Sequence, residues 1–134
     1  MDPSAAALKW ADTWRRCWAT LDTDSIVALY ASDAVVSTEP FREPLRGRDE
    51  VRRYVRRVFA EEDDPQVHVG APIVEGDRAA VTWWASLRED GVDTTLAGTS
   101  LLRFDSGGLV IEQWDTWNVA RRRLPPPSDG TPFG

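Results

Sequence analysis

The sequence is poor in the residues that most often carry metal or thiol chemistry. It holds one cysteine, Cys17, and one histidine, His68, in 134 residues. A lone cysteine makes no internal disulfide and no structural zinc site. One histidine beside it leaves nothing from which to build histidine/cysteine metal catalysis, so neither metal nor cofactor is expected. Positive charge is also short. Lysine and arginine number 16 against 22 acids, for a net charge of -6 and a pI near 4.7. That balance argues against nucleic acid or an anionic membrane as the main partner. No apolar run approaches the ~18 residues of a membrane span. The opening MDPSAAALKW has an acid at position 2 and no basic region before an apolar stretch, unlike a secretory signal. A cytoplasmic location is the expectation.

What is present is an ordinary globular balance, 42% hydrophobic and 28% charged, in a length suited to one domain with its own core. The excess is in tryptophan, seven against two tyrosines.

The first segment reads as a helix. Trp10, Trp14, Cys17 and Leu21 recur at helical spacing with Trp18 beside them, opposite Asp12, Arg15, Arg16 and Thr20. Asp2-Pro3-Ser4 precedes it as a cap. Asp22 or Thr23 caps a second short helix running through Tyr30. Ala34–Thr38 reads as a strand, and 39–47, with Pro40 and Pro44, as a loop. The third helix is the clearest: Val51, Tyr54, Val55, Val58 and Phe59 form one stripe, with Arg52, Arg53, Arg56 and Arg57 opposite.

From Pro65 the period changes to two. Val67, Val69, Ala71 and Ile73 alternate, then Val81, Trp83, Ala85 and Leu87, with turns at Glu75-Gly76-Asp77 and Glu89-Asp90-Gly91. A long strand, Val92–Phe104, and a last one, Leu109–Asn118, flank the loop Asp105–Gly108. Helices first and hairpin-linked strands after predict an α+β fold. Residues 121–134, with Pro125, Pro126 and Pro127, read as a loose tail.

Three segments then become informative together: Asp24-Ser-Ile-Val-Ala-Leu-Tyr-Ala-Ser-Asp-Ala-Val-Val36, Pro44-Leu-Arg-Gly-Arg-Asp-Glu-Val51, and Leu102-Arg-Phe-Asp-Ser-Gly-Gly-Leu-Val-Ile-Glu-Gln-Trp-Asp115. They resemble the nuclear transport factor 2-like superfamily, and within it the SnoaL-like proteins. The resemblance implies one domain over 1–120. It also implies a cystatin-like cone, a strongly curved antiparallel sheet wrapped around a long N-terminal helix, with two further helices and an apolar pocket. The superfamily includes isomerases, polyketide cyclases, dehydratases, epoxide hydrolases and non-catalytic binders, and many members dimerise through the outer sheet face.

Aligned with ketosteroid isomerase, the catalytic tyrosine position falls on Trp14 and the protonated-acid position on Ser100. The base position falls on Thr38, or on Glu39 with a one-residue shift that sets Glu39-Pro40 against an Asp-Pro. An indole and a serine hydroxyl are not that oxyanion hole. The epoxide hydrolases imply an Asp-Arg-Asp arrangement, for which Arg88-Glu89-Asp90 and Arg103-Phe104-Asp105 are the candidates, both beside turns.

Asp115 is the leading catalytic candidate. Leu109, Ile111, Gln113, Asp115 and Trp117 share a face by period two, so a core-facing start carries Asp115 into the cone. The alternative is a structural acid held by an amide or an arginine. Glu39 at the pocket mouth and His68 are the candidates for a second group; both also fit solvated positions. Trp14, Trp18, Tyr54, Phe59, Trp83, Ser100, Gln113 and Trp117 are the candidate substrate-binding residues, and simple core packing is the rival reading of the aromatics. Tyr54 also offers a phenol proton. Trp84, Leu101 and Trp114 fall on the other sheet face and predict a homodimer. Cys17 reads as packing. The expected function is cofactor-free acid/base chemistry on a hydrophobic small molecule (isomerase, cyclase or dehydratase type). The alternatives are a non-catalytic binder or accessory protein, or an epoxide hydrolase-type member.

Overall fold

The computed structural model describes residues 1–127. The first helix, α1 (Pro3–Ala19), begins with proline in its first turn, where the missing N–H is no loss. Trp10, Cys17 and Trp18 are buried on one side of it. The second, α2 (Thr23–Val27), is capped by Asp22, whose carboxylate accepts from the Ser25 N–H at 3.2 Å. The third, α3 (Gly47–Glu61), buries Val51, Val55 and Phe59, as the stripe predicts.

Seven strands follow or interleave: β1 (Tyr30–Ser37), β2 (Leu45–Arg46), β3 (Glu62–Val69), β4 (Ile73–Glu75), β5 (Arg78–Glu89), β6 (Val92–Phe104) and β7 (Val110–Ala120). They form one curved open sheet in the order β2-β1-β7-β6-β5-β3, with β4 also paired to β5. The expected α+β cone is the observed architecture. Pairing is antiparallel except between β1 and β7, which run parallel. α1 packs on β3 and β5, and α3 on β1 and β2. The turn between β5 and β6 is Asp90-Gly91, both with positive φ, 49° and 80°, the hairpin geometry that such a pair favours.

Several boundaries and one register differ from the sequence reading. The second helix stops at Val27, and Tyr30 opens β1 instead of closing the helix. The proline loop contains the short strand β2. The strand expected through Ile73 is two strands. The break after Val69 turns Ile73 outward, where it is 56% exposed opposite Ala80. In β7 the register shifts between the pairs Arg103–Glu112 and Phe104–Val110. Val110, not Leu109 or Ile111, is therefore buried at that end. Beyond the shift, Gln113, Asp115 and Trp117 face inward as expected.

The C-terminal segment is not loose where it is described. Thr95 Oγ1 donates to the Arg122 carbonyl at 2.7 Å and accepts the Leu124 N–H at 2.9 Å. The Leu124 carbonyl takes the Trp84 indole N–H at 3.0 Å and the Ser86 hydroxyl at 3.1 Å. Residues 121–124 are thus strapped to the outer sheet face; 128–134 lie outside the described residues.

Candidate functional site

The inner face of the sheet and the apolar sides of α1 and α3 enclose a cavity of about 220 Å³. Its walls are largely aromatic. Trp10, Trp14 and Trp18 stand one turn apart on α1, and Trp83 of β5 completes the row. Successive ring centroids lie 5.9, 5.8 and 5.6 Å apart, with tilted or edge-on planes. Trp117, Tyr54 and Phe59 line the cavity as well. Gly98 makes this wall possible. A Cβ there would come within 2.4 Å of the Thr116 carbonyl and 2.9 Å of the Trp83 ring.

Asp115 lies in this wall, keeping part of its surface in the cavity although protein surrounds it. Ser100, its cross-strand partner on β6, donates to Oδ1 at 2.6 Å. The Gln113 amide donates to Oδ1 at 3.0 Å and Oδ2 at 3.2 Å. Behind these stand further donors. The Trp83 indole N–H donates to Ser100 Oγ at 3.1 Å. The fully buried Tyr30 hydroxyl donates to Gln113 Oε1 and accepts the indole N–H groups of Trp10 and Trp14, both at 3.3 Å.

The direction of this network is fixed. An indole N–H can only donate. Tyr30 must therefore spend its proton on Gln113 Oε1, which turns the Gln113 NH2 toward Asp115. Ser100 likewise accepts from Trp83 and has its one proton left for Oδ1. Every hydrogen bond runs toward Asp115, so the surroundings are built for its carboxylate form. Burial opposes them and pushes its pKa from 3.8 up to about 6; the Ser100 and Gln113 hydrogen bonds pull it down. The outcome at neutral pH is an ionised base, desolvated and, among the described residues, without a cationic partner.

The other candidates separate. Trp14, Trp18, Tyr54, Phe59, Trp83, Ser100, Gln113 and Trp117 all line the cavity. Of these, Trp14, Trp83, Ser100 and Gln113 are already engaged in the network, and the Trp117 indole N–H donates to the Thr38 carbonyl at 2.8 Å. Burial raises the Tyr54 phenol, and the Asp115 charge raises it further, so it is a neutral donor. Glu39 is at the mouth with Arg42, 3.6 Å away as an ion pair, and with Arg57, whose guanidinium lies over the Tyr54 ring. His68 is excluded from the site. It pairs with Trp84 on the outer face and is exposed, because Val67 and Val69 take the inward positions of β3. The two Arg-x-Asp pairs also miss the cavity. Arg88 bonds Asp63 outside the cone at 2.9 Å, Arg103 bonds Glu112 at 3.2 Å, and Asp105 ties its own turn together.

Two functional residues escape the sequence reading. Tyr30 falls at the end of the expected second helix, although a buried hydroxyl in an apolar run needs partners. Glu62 continues the α3 stripe at three residues past Phe59, where an apolar residue is expected. It is buried, lines the cavity and accepts the Trp18 indole N–H at 2.7 Å. Burial, with Glu89 and Glu61 nearby, pushes its carboxyl from 4.5 to about 7, against the Trp18 bond. Among the described residues no cluster suited to a metal ion occurs, and no helix is long and apolar enough to cross a membrane.

Residues 11–113 match the family described as SnoaL-like domain. No curated protein matches the sequence. Among solved structures, the chain is similar to the epoxide hydrolase/cyclase-like enzyme SalBIII of pyran ring formation in polyether salinomycin. The TM-score is 0.77 at 15% identity, over 90% of this chain and 98% of that one. It is similar to RV0760c from Mycobacterium tuberculosis, with a TM-score of 0.74 at 18% identity over 86% and 95%. It is also similar to a protein with ketosteroid isomerase-like fold from Catenulispora acidiphila, with a TM-score of 0.68 at 17% identity over 78% and 82%. At such identities the likeness concerns the fold, the cone of the nuclear transport factor 2-like superfamily.

Proposed function

The chain belongs to the SnoaL-like domain family, and on that footing we propose that it binds an apolar small molecule in the cone and moves a proton with Asp115 as general base. The observation that carries this is the one-way hydrogen-bond network ending on a buried, unpaired carboxylate whose pKa is raised to about 6. A base needs to be ionised yet still proton-hungry at working pH, and a raised carboxyl meets both demands. The network also fixes its position before any ligand arrives, which removes reorganisation from the proton transfer. Ser100 and Gln113 are positioning residues, and Trp10, Trp14, Tyr30 and Trp83 hold them. The phenol of Tyr54, hydrogen-bonded with Thr38, stands neutral on the α3 side. The chemistry is of the isomerase, cyclase or dehydratase kind, and the protein's own side chains supply the base. SalBIII is an epoxide hydrolase/cyclase-like enzyme; the positions of Arg88 and Arg103 favour the cyclase-type reading here over the hydrolase one.

The test uses β-tetralone, an apolar ketone with acidic C–H bonds beside its carbonyl. In D2O the protein should accelerate exchange at that carbon, with a rate that rises as pH passes about 6. Asp115→Asn should lose the acceleration while the fold persists. Equal exchange by the variant sinks the base assignment, and saturable binding without exchange in either protein supports a non-catalytic binder.

We also propose a homodimer through the outer sheet face. Leu101 and Trp114 are cross-strand neighbours, 51% and 45% exposed, with Ile73 in the same row across β5. Trp84 contributes less than expected, because residues 121–124 partly cover it.

A further inference from the structure

A second buried carboxyl in the same cavity is left over by the Asp115 network. Glu62 opens β3 and is 6% exposed. Its Oε1 takes the Trp18 indole N–H, while Oε2 is buried with no hydrogen-bond partner. The groups that face it are Trp18 from α1, Glu61 beside it, and Glu89 directly across on β5. Glu89 is itself held by Arg121 at 2.9 Å. Among the described residues no cation is paired with Glu62.

The two carboxyls differ in their donors. Asp115 receives three hydrogen bonds, and these favour the anion. Glu62 receives one, which occupies Oε1 and leaves Oε2 as the place for a proton. A buried acceptor left unpaired costs about 1–3 kcal/mol. Protonation of Oε2 removes the charge and converts the orphan acceptor into a donor. A donor in an indole-lined wall still needs something to donate to, and among the described residues no atom provides it.

We propose that Glu62 is the cavity's hydrogen-bond donor to its ligand, and that the ligand is an uncharged apolar molecule bearing an acceptor oxygen (carbonyl, ether or ester). This rests on the reading that the cavity binds a small molecule. Glu62, held at Trp18, anchors the oxygen, and Asp115 lies beyond Trp83, which bonds its partner Ser100. Asp115 sits in the cross-strand row of Ser100 and Val81, whereas Glu62 sits in the row of Glu89, near the opposite end of β5. The molecule therefore lies along the wall of Trp14, Trp18 and Trp83, with its oxygen toward Glu62. An anionic ligand is disfavoured by the acids of the wall.

The experiment compares three ligands on one carbon frame, tetralin, β-tetralone and protonated 2-aminotetralin, by quenching of tryptophan fluorescence. The proteins are the wild type, Glu62→Gln and Glu62→Leu. In the wild type at about pH 6 the ketone should bind on the order of tenfold tighter than tetralin. That advantage should fade as pH rises through about 7. Glu62→Gln, which keeps an acceptor for Trp18 and a donor in place of Oε2–H, should hold the advantage at both ends of the range. Glu62→Leu should lose it at both, yet still bind tetralin. Equal binding of ketone and tetralin by the wild type, or an undiminished advantage in Glu62→Leu, overturns the proposal. So does the ammonium ligand binding tightest at about pH 6, which would mark Glu62 as an ionised anchor for cations. If tetralin itself fails to bind, the small-molecule reading of the cavity fails with it; tetralin binding without a ketone advantage overturns the donor role alone.

Discussion

Replacing Asp115 with asparagine should stabilise the protein at neutral pH but not in acid. Asp115 is buried with no cation beside it among the described residues, and its carboxyl is raised from 3.8 to about 6. Below both values the folded and unfolded chains each hold the proton, and the group makes no difference to stability. Between them the unfolded chain has released its proton and the folded chain has not, so stability falls as pH rises. Above about 6 both forms are ionised and the loss is complete. Two pKa units at about 1.4 kcal/mol each amount to about 3 kcal/mol. Asparagine carries no charge and avoids this cost. Its NH2 group instead meets the Gln113 NH2, which costs about 1 kcal/mol at every pH. Urea unfolding of both proteins between about pH 4 and about pH 8 gives the difference directly. It should move by about 3 kcal/mol in favour of the variant, with its midpoint near pH 5. Glu62 titrates in both proteins and cancels from the comparison. A difference that stays flat, or that swings toward the wild type, refutes the claim that the fold holds Asp115 as an unpaired buried base.

Three other outcomes are expected. Gly98→Ala should cost several kcal/mol, read by thermal unfolding, and quench or shift the tryptophan emission, because the new methyl meets backbone at 2.4 Å. Trp114→Arg should lower the sedimenting mass from dimer to monomer without loss of helix signal in circular dichroism; an unchanged mass rejects the outer-face dimer. Thr95→Val removes both hydrogen bonds that hold Arg122 and Leu124. It should speed tryptic cleavage at Arg121–Arg123 and cost about 1–3 kcal/mol.

The apolar stripes of α1 and α3 and the alternation in β5 are legible in sequence because each buries one face against one core. The allocation of the tryptophans follows from the same periods: Trp83 and Trp117 inward, Trp84 and Trp114 outward. Asp115 was legible too, although the argument from Leu109 and Ile111 crosses a register shift that no local pattern signals. Tyr30 and Glu62 were not legible, for one reason. Each stands at the junction of two elements, where helical and strand periods give opposite answers. His68 had an undecided face for want of a strand register, which only the pairing with β5 supplies. The strap at 121–124 is held by side chains from β5 and β6, so its own proline-rich composition could not reveal it.

The parallel pairing of β1 with β7 joins the two ends of the chain: Val36 lies opposite Gln113, and Ser37 opposite Trp114. During synthesis α1 and β1 leave the ribosome long before β7 exists. Until β7 emerges, Tyr30 has no Gln113 to bond, and the wall of indoles borders an unfinished sheet. Long-range pairings of this kind form late. Closure of the cone and assembly of the base are thus one event, so a nascent or truncated chain without its last strand holds the row of Trp10, Trp14, Trp18 and Trp83 but neither Asp115 nor the glutamine that aims it.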